Sequence, residues 1–192
     1  MSRTTSHLVA ALATLLVSGT AFGQVIDDFE GYADTAALAG TWQDQTGTPT
    51  QTLAVVPGDP PIGNNGGGSQ SMRIDYDLAS GDQIVRDTFP AENWSAEPDV
   101  GFWGLGGAGN SGVIQMFVGS SPPCGLSWAT TDTSWARYSM NFSVACPTAN
   151  LSAVTYVEFW FAGGTSDAGT FYIDDLNFDN SVPVELQDLS AD

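Results

Sequence analysis

Carboxylates are the residues of this chain best placed to do chemistry, and they come in clusters. One cluster lies near the start, in Val25-Ile26-Asp27-Asp28-Phe29-Glu30-Gly31-Tyr32. Another lies near the end, in Phe171-Tyr172-Ile173-Asp174-Asp175-Leu176-Asn177-Phe178. Both sit inside runs of β-formers, where Asp is disfavoured, so each needs a reason. The first and last strands of a β-sandwich often lie together. If they do here, four or five oxygen ligands converge, which suits a hard cation such as Ca²⁺. Read as a strand, the first run puts Asp28 and Glu30 on one face, about 7 Å apart. The competing reading is solvated edge-strand acids that block pairing with other chains.

Glu158 stands apart, inside the strongly apolar run 156–161. It is the best candidate for a general acid, although a residue so placed is more often the partner of an Arg or a hydrogen-bonder in a groove. A glycosidase needs two carboxylates at a set separation. Glu occurs only at 30, 92, 97, 158 and 185, and no two share a strand-like run. The only histidine is His7, in the leader described below. Without it there is no Ser-His or Cys-His pair and no His-ligated zinc. The expectation is therefore no enzyme. Cys124 and Cys146 are the only cysteines, and an even pair in an exported chain reads as a disulfide.

Export is expected from the first residues. Ser2-Arg3-Thr4 is a short basic segment, Leu8 to Val17 an apolar stretch, and Ala21-Phe22-Gly23 a small-residue cut site. The apolar stretch is too short to span a bilayer. Removing 23 of the 192 residues leaves 169, one domain with a good-sized core. That mature chain keeps all 22 acids, three arginines (Arg73, Arg86 and Arg137) and no lysine, a formal charge of −19. Such a surface excludes a nucleic-acid partner and is repelled by anionic membranes. The expected product is secreted, periplasmic or on the cell surface, is not inserted in a membrane, and is a monomer.

Stepping outward from these residues, the elements that must position them are almost all strands. Gly totals 22 and Pro 10, and no amphipathic window of helical length survives them. Eleven strand-like runs are separated by turn signals such as Pro57-Gly58-Asp59-Pro60-Pro61 and Ser80-Gly81-Asp82. They are 25–32, 40–43, 51–56, 71–78, 83–89, 99–104, 112–118, 126–130, 136–142, 155–162 and 170–178. In Ser71 to Leu78 the even positions are apolar and the odd ones polar, so one face goes inward. Residues 24–180 form the domain, and 181–192, with Val182-Pro183-Val184-Glu185-Leu186, form a tail or the start of a linker.

The order of these pieces resembles the galactose-binding-like jelly rolls, and among them the family 11-type carbohydrate-binding modules. The resemblance is carried by Ile26 to Tyr32, Ser71 to Tyr76, Gly101-Phe102-Trp103-Gly104 with Gly109-Asn110, Asp132 to Tyr138, and Gly169 to Leu176. It implies an all-β sandwich of about 9–11 strands. It also implies a structural Ca²⁺ held by Asp28, Glu30 and Asp175, with Asp174 or Asp27 as further ligands. The partner it implies is a polysaccharide or cell-surface glycan.

All six Trp, at 42, 94, 103, 128, 135 and 160, lie in the mature chain, and sugars stack on aromatic faces. Alternation turns Trp103 outward if Val100 and Phe102 are core, and turns Gln115 away from Ile114 and Met116. Arg73 and Asp75 share the polar side of their strand, and Trp128 flanks the disulfide loop. Arg73, Asp75, Trp103, Gln115 and Trp128 are the candidate ligand-binding residues of one concave groove, with Trp42 and Trp135 in the core. The alternative is a structural or cell-surface protein of the same fold with no sugar site. A glycoside hydrolase is the third reading. Asn93-Trp94-Ser95, Asn141-Phe142-Ser143 and Asn150-Leu151-Ser152 match the N-glycosylation triplet.

Overall fold

The computed structural model describes residues 25–46, 50–54, 69–107, 109–162 and 168–178. The expected leader, 1–23, and tail, 181–192, lie outside the described residues. Along the chain the elements are β1 (Val25–Asp27), α1 (Thr35–Thr41), β2 (Gln43–Asp44), β3 (Thr50–Ala54), β4 (Ser71–Asp77), β5 (Gln83–Glu92), β6 (Asp99–Gly106), β7 (Val113–Val118), β8 (Cys124–Ala129), β9 (Ala136–Asn141), α2 (Phe142–Ala145), β10 (Val154–Ala162) and β11 (Ala168–Asn177).

They form two antiparallel sheets, the β-sandwich that the strand count called for. The first sheet runs β3-β4-β11-β6-β9, with β1 also paired to β11. The second runs β2-β5-β10-β7-β8. Val25 pairs with Asn177 and Asp27 with Leu176, so the two ends of the domain do lie together.

Alternation places the core. Met72, Ile74, Phe102, Phe171 and Ile173 of the first sheet meet Val85, Ile114, Met116, Val157, Phe159 and Phe161 of the second, all fully or almost fully buried. Trp42 stacks on Phe159 with ring centroids 5.5 Å apart. Burial of this kind contributes about 25 cal/mol per Å² of apolar surface removed from water. The apolar run of β10 splits by parity: Val157, Phe159 and Phe161 go inward, while Tyr156, Glu158 and Trp160 face out. Cys124 and Cys146 form the expected disulfide, with Cα atoms 5.4 Å apart. It ties edge strand β8 to the residue that ends α2.

Three local expectations change. Residues 40–43 are not one strand. Asp34 accepts from Ala37 N at 2.9 Å and caps α1, built on the good helix formers Ala36, Ala37, Leu38 and Ala39. Seven residues are too few to show in a helical-period search. The run 25–32 is a strand only to Asp27; Phe29 then takes φ 59°, and residues 28–32 form a turn. Trp135 is half-buried rather than core, whereas Trp94 is buried.

The Asn-x-Ser triplets have structural work of their own. Asn93 Oδ1 accepts from Ser95 N, Asn141 Oδ1 from Val144 N, and Asn150 Oδ1 from Ser152 N. Each Asn thus holds a turn or caps a short helical segment.

Candidate metal centre and candidate ligand face

Pairing of β1 with β11 gathers the acidic residues, but not as two facing strands. Asp27 is not available to a cation. Its Oδ1 accepts from Phe29 N at 2.8 Å, and its Oδ2 accepts from the Tyr32 hydroxyl at 2.6 Å and from the Trp42 indole at 2.7 Å. It anchors the turn to the core. Asp28 and Glu30 leave the strand with that turn, so the expected 7 Å same-face spacing does not apply. Asp28 Oδ1 accepts from Glu30 N at 3.1 Å. Glu30 Oε1 accepts from Ser69 N and Gln70 N, each at 2.6 Å, and so draws the segment ahead of β4 onto the turn.

Opposite them the β11–β6 register slips between Asp174 and Asn177, and Asp175 takes φ 47°. This bulge turns two successive carboxylates into a buried setting, Asp174 at 3% and Asp175 at 8% exposure. Arg137 reaches across from β9, donating to Asp175 O at 3.1 Å and Asn177 Oδ1 at 2.6 Å. It can do so because it crosses Gly101, where a Cβ would stand 2.9 Å from its Nη2. Burial, then the neighbouring Asp175, Glu30 and Asp28 charges, push the Asp174 carboxyl up to about 8, against the bond from Asp175 N. Burial also raises Asp175, opposed by Arg137.

The chemistry of this corner fits a hard divalent cation. Buried carboxylates facing one another raise each other's cost of ionisation, and a cation removes that cost. Gln70 Oε1 and Ser71 Oγ are buried with no hydrogen-bond partner, and the register that pairs Met72 with Ile173 carries Ser71 opposite Asp174. Among the described residues, no three His, Cys, Asp or Glu side chains converge as a metal site.

The outward face of the second sheet has a different character. Glu158 pairs in register with Arg86 on one side and Phe117 on the other. Trp160 is flanked by Ile84 and Gln115, and Gln115 by Ser127. Arg86 donates from Nε and Nη2 to Glu158 Oε2, the first at 2.8 Å, and its guanidinium lies 4.3 Å from the Tyr156 ring centroid. Glu158 is 5% exposed. It is therefore the partner of an Arg, the commoner role for a residue of its kind. Tyr156 lies flat over Gly119 and Phe117 flat over Gly125; a Cβ on either glycine would stand 2.3 Å from the ring. Rings laid down on the backbone turn one face to solvent. Phe117 and Trp160 adjoin, with centroids 5.5 Å apart. The result is an aromatic platform with a neutralised ion pair at its centre. Outward parity and the apolar density of residues 156–161 were the signals for it.

The five expected ligand residues do not share a groove. Arg73, Asp75 and Trp103 lie on the outward side of the first sheet. Arg73 bonds Asp75 at 2.8 Å, and Thr170 Oγ1 donates to the same carboxylate at 2.6 Å, so the pair is tied within the sheet. Trp103 sits in register beside Asp174, and its buried indole N–H has no acceptor. Gln115 is on the opposite side of the sandwich, on the platform. Trp128 points inward. It pairs with core residue Ile114 and makes edge contacts with Phe102 and Tyr138, at 5.7 and 5.8 Å. Apart from β3–β4 and β7–β8, strands adjacent in sequence fall in different sheets here, which alternation within each strand cannot reveal.

Comparison with known structures joins this geometry to a fold. The family 11 carbohydrate-binding module from Clostridium thermocellum, in complex with a beta-1,3-1,4-mixed-linked tetrasaccharide, superposes with a TM-score of 0.60. It is 18% identical, over 83% of this chain and 96% of that one. The fold is that of the family 11 carbohydrate-binding modules. A second structure of such a module, from a cellulosomal cellulase of the same organism, gives 0.58 over 81% of this chain and 93% of that one, again at 18% identity. An exo-beta-agarase matches with a TM-score of 0.54 and 11% identity, over 70% of this chain but 22% of its own. Among curated sequences, a mannan endo-1,4-beta-mannosidase of Bifidobacterium adolescentis is 32% identical over 103 residues. That match covers 53% of this chain and 9% of the enzyme. No family model matches the sequence.

Proposed function

We propose that this chain is an exported, monomeric, non-catalytic module that binds polysaccharide on the outward face of the second sheet. Structural Ca²⁺ at the joined chain ends would stabilise the scaffold. The observation that carries the reading is the platform of Tyr156, Phe117 and Trp160, with Gln115 and the Arg86–Glu158 pair beside it. Flat aromatic faces stack on the C–H faces of sugar rings, and flanking polar groups hydrogen-bond the hydroxyls. The strongly negative formal charge, −18 for the full 192 residues, favours uncharged glycans over acidic ones. Glu158 is bound to Arg86 and has no second carboxylate in its row, which supports binding without turnover. No described helix is long and apolar enough to cross a membrane. The test is titration calorimetry against β-glucan, xylan, mannan and galactan, with Trp160→Ala as control. Binding to one of them, lost in the variant, supports the reading. No binding to any of them favours a structural or surface role for the same fold.

A further inference from the structure

We infer that the Cys124–Cys146 disulfide is a positioning element of the ligand face, holding the floor on which Phe117 lies; this rests on the platform reading above. β8 is an outer strand of its sheet, paired with β7 on one side only. An outer strand with little apolar burial belongs to the less stable part of a fold. Cys124 is fully buried, whereas Leu126, Ser127 and Ala129 are exposed. Trp128 anchors the far end of β8 by its contacts with Phe102 and Tyr138. The near end has the disulfide, which joins Cys124 to the residue that ends α2.

The register sets what that near end carries. Val118 pairs with Cys124 and Phe117 with Gly125. The floor of the Phe117 ring is therefore the residue next to the disulfide, and a Cβ there would stand 2.3 Å from the ring. Phe117 also adjoins Trp160, with centroids 5.5 Å apart. When β8 lifts, Phe117 loses its floor and is free to tip away from Trp160, so the platform loses one of its rings. While the disulfide is closed, a lifted strand stays tethered at Cys146 and gains little chain freedom; once it is open, the same lifting gains more. Glycan binding needs the seated form, so the apparent Kd rises as the inverse of its population.

The test is titration calorimetry with β-glucan, xylan, mannan and galactan on the wild type, Cys146→Ala and Ile74→Ala. Cys146→Ala removes the tie and leaves Cys124 in the core. Ile74 is fully buried in β4 of the other sheet, so its alanine variant is weakened by a core cavity and not at β8. For the polysaccharide that the wild type binds, Kd should rise at least about threefold in Cys146→Ala, the effect of leaving about a third of the molecules seated. It should keep the wild-type value in Ile74→Ala. Hydrogen exchange at Gly125 to Ala129 should quicken in Cys146→Ala more than exchange in β10. Should that variant not fold, the wild type in dithiothreitol gives the same comparison: the reagent's two thiols close to a cyclic disulfide while Cys124 and Cys146 each gain a hydrogen. Wild-type affinity in the untied protein, or an equal loss in Ile74→Ala, would overturn the positioning role and leave the platform reading standing. A wild type that binds none of the four polysaccharides would remove both.

Discussion

Asp27 offers the sharpest test of how the chain end is held. Its carboxylate accepts three hydrogen bonds, from Phe29 N, the Tyr32 hydroxyl and the Trp42 indole, all between 2.6 and 2.8 Å. Asp27→Ala strands these donors unequally. Trp42 is fully buried, so its N–H finds no water and costs about 1–3 kcal/mol. The Phe29 amide belongs to an equally buried residue and costs about 1–3 kcal/mol as well, while the half-buried Tyr32 hydroxyl loses about 1 kcal/mol. The sum is about 3–7 kcal/mol, or a fall in Tm of roughly 6–28 °C for a domain of this size. Asp27→Asn keeps one oxygen acceptor and should lose about half as much. Because Asp27 holds donors and not a cation, the fall should be the same in Ca²⁺ and in chelator. Urea unfolding of Asp27→Ala, Trp42→Phe and the double variant measures the coupling, expected at about 1.5–3 kcal/mol for a bond to a charged group. A loss below about 1 kcal/mol, or additive single variants, would falsify the anchoring role.

Other outcomes follow from the same geometry. Opening the disulfide with Cys124→Ala and Cys146→Ala should cost about 3 kcal/mol in unfolding experiments, given a sequence separation of 22. Gly125→Val would drive a side chain into the Phe117 ring, so sugar affinity should fall while calcium binding at the far sheet is retained. Asp87 has its carboxyl pushed up to about 6, chiefly by burial and then by Asp27. A carboxyl raised on folding binds more protons in the native state, so its contribution favours the fold below about pH 4 and is lost as pH rises through 6. Asp87→Asn should therefore raise stability at pH 7 by about 1–2 kcal/mol after discounting for solvent screening, with little effect at pH 4. A pH-independent gain would contradict this.

Much of the architecture was legible before any coordinates. Strand ends agree to within a few residues along β4 to β11, because alternation and Gly/Pro punctuation act within single strands. The Cys124–Cys146 pair was legible from the even cysteine count together with the expectation of export. Helix α1 was not, since seven residues give too little periodicity. The turn after Asp27 was also missed: Phe29 at positive φ is an exceptional conformation, and the β-forming run around it masks it.

The candidate sites divide along the same line. Sequence determined which residues can do chemistry here: a surplus of acids, four cations, a single histidine, and aromatics on alternating strands. It also determined each side chain's parity within its own strand. Which strands become neighbours is a long-range choice made by packing two apolar faces together. That choice put Arg73 and Gln115 on opposite sides of the sandwich and turned Trp128 into the core. The same choice brought Tyr156, Phe117 and Trp160 onto one face.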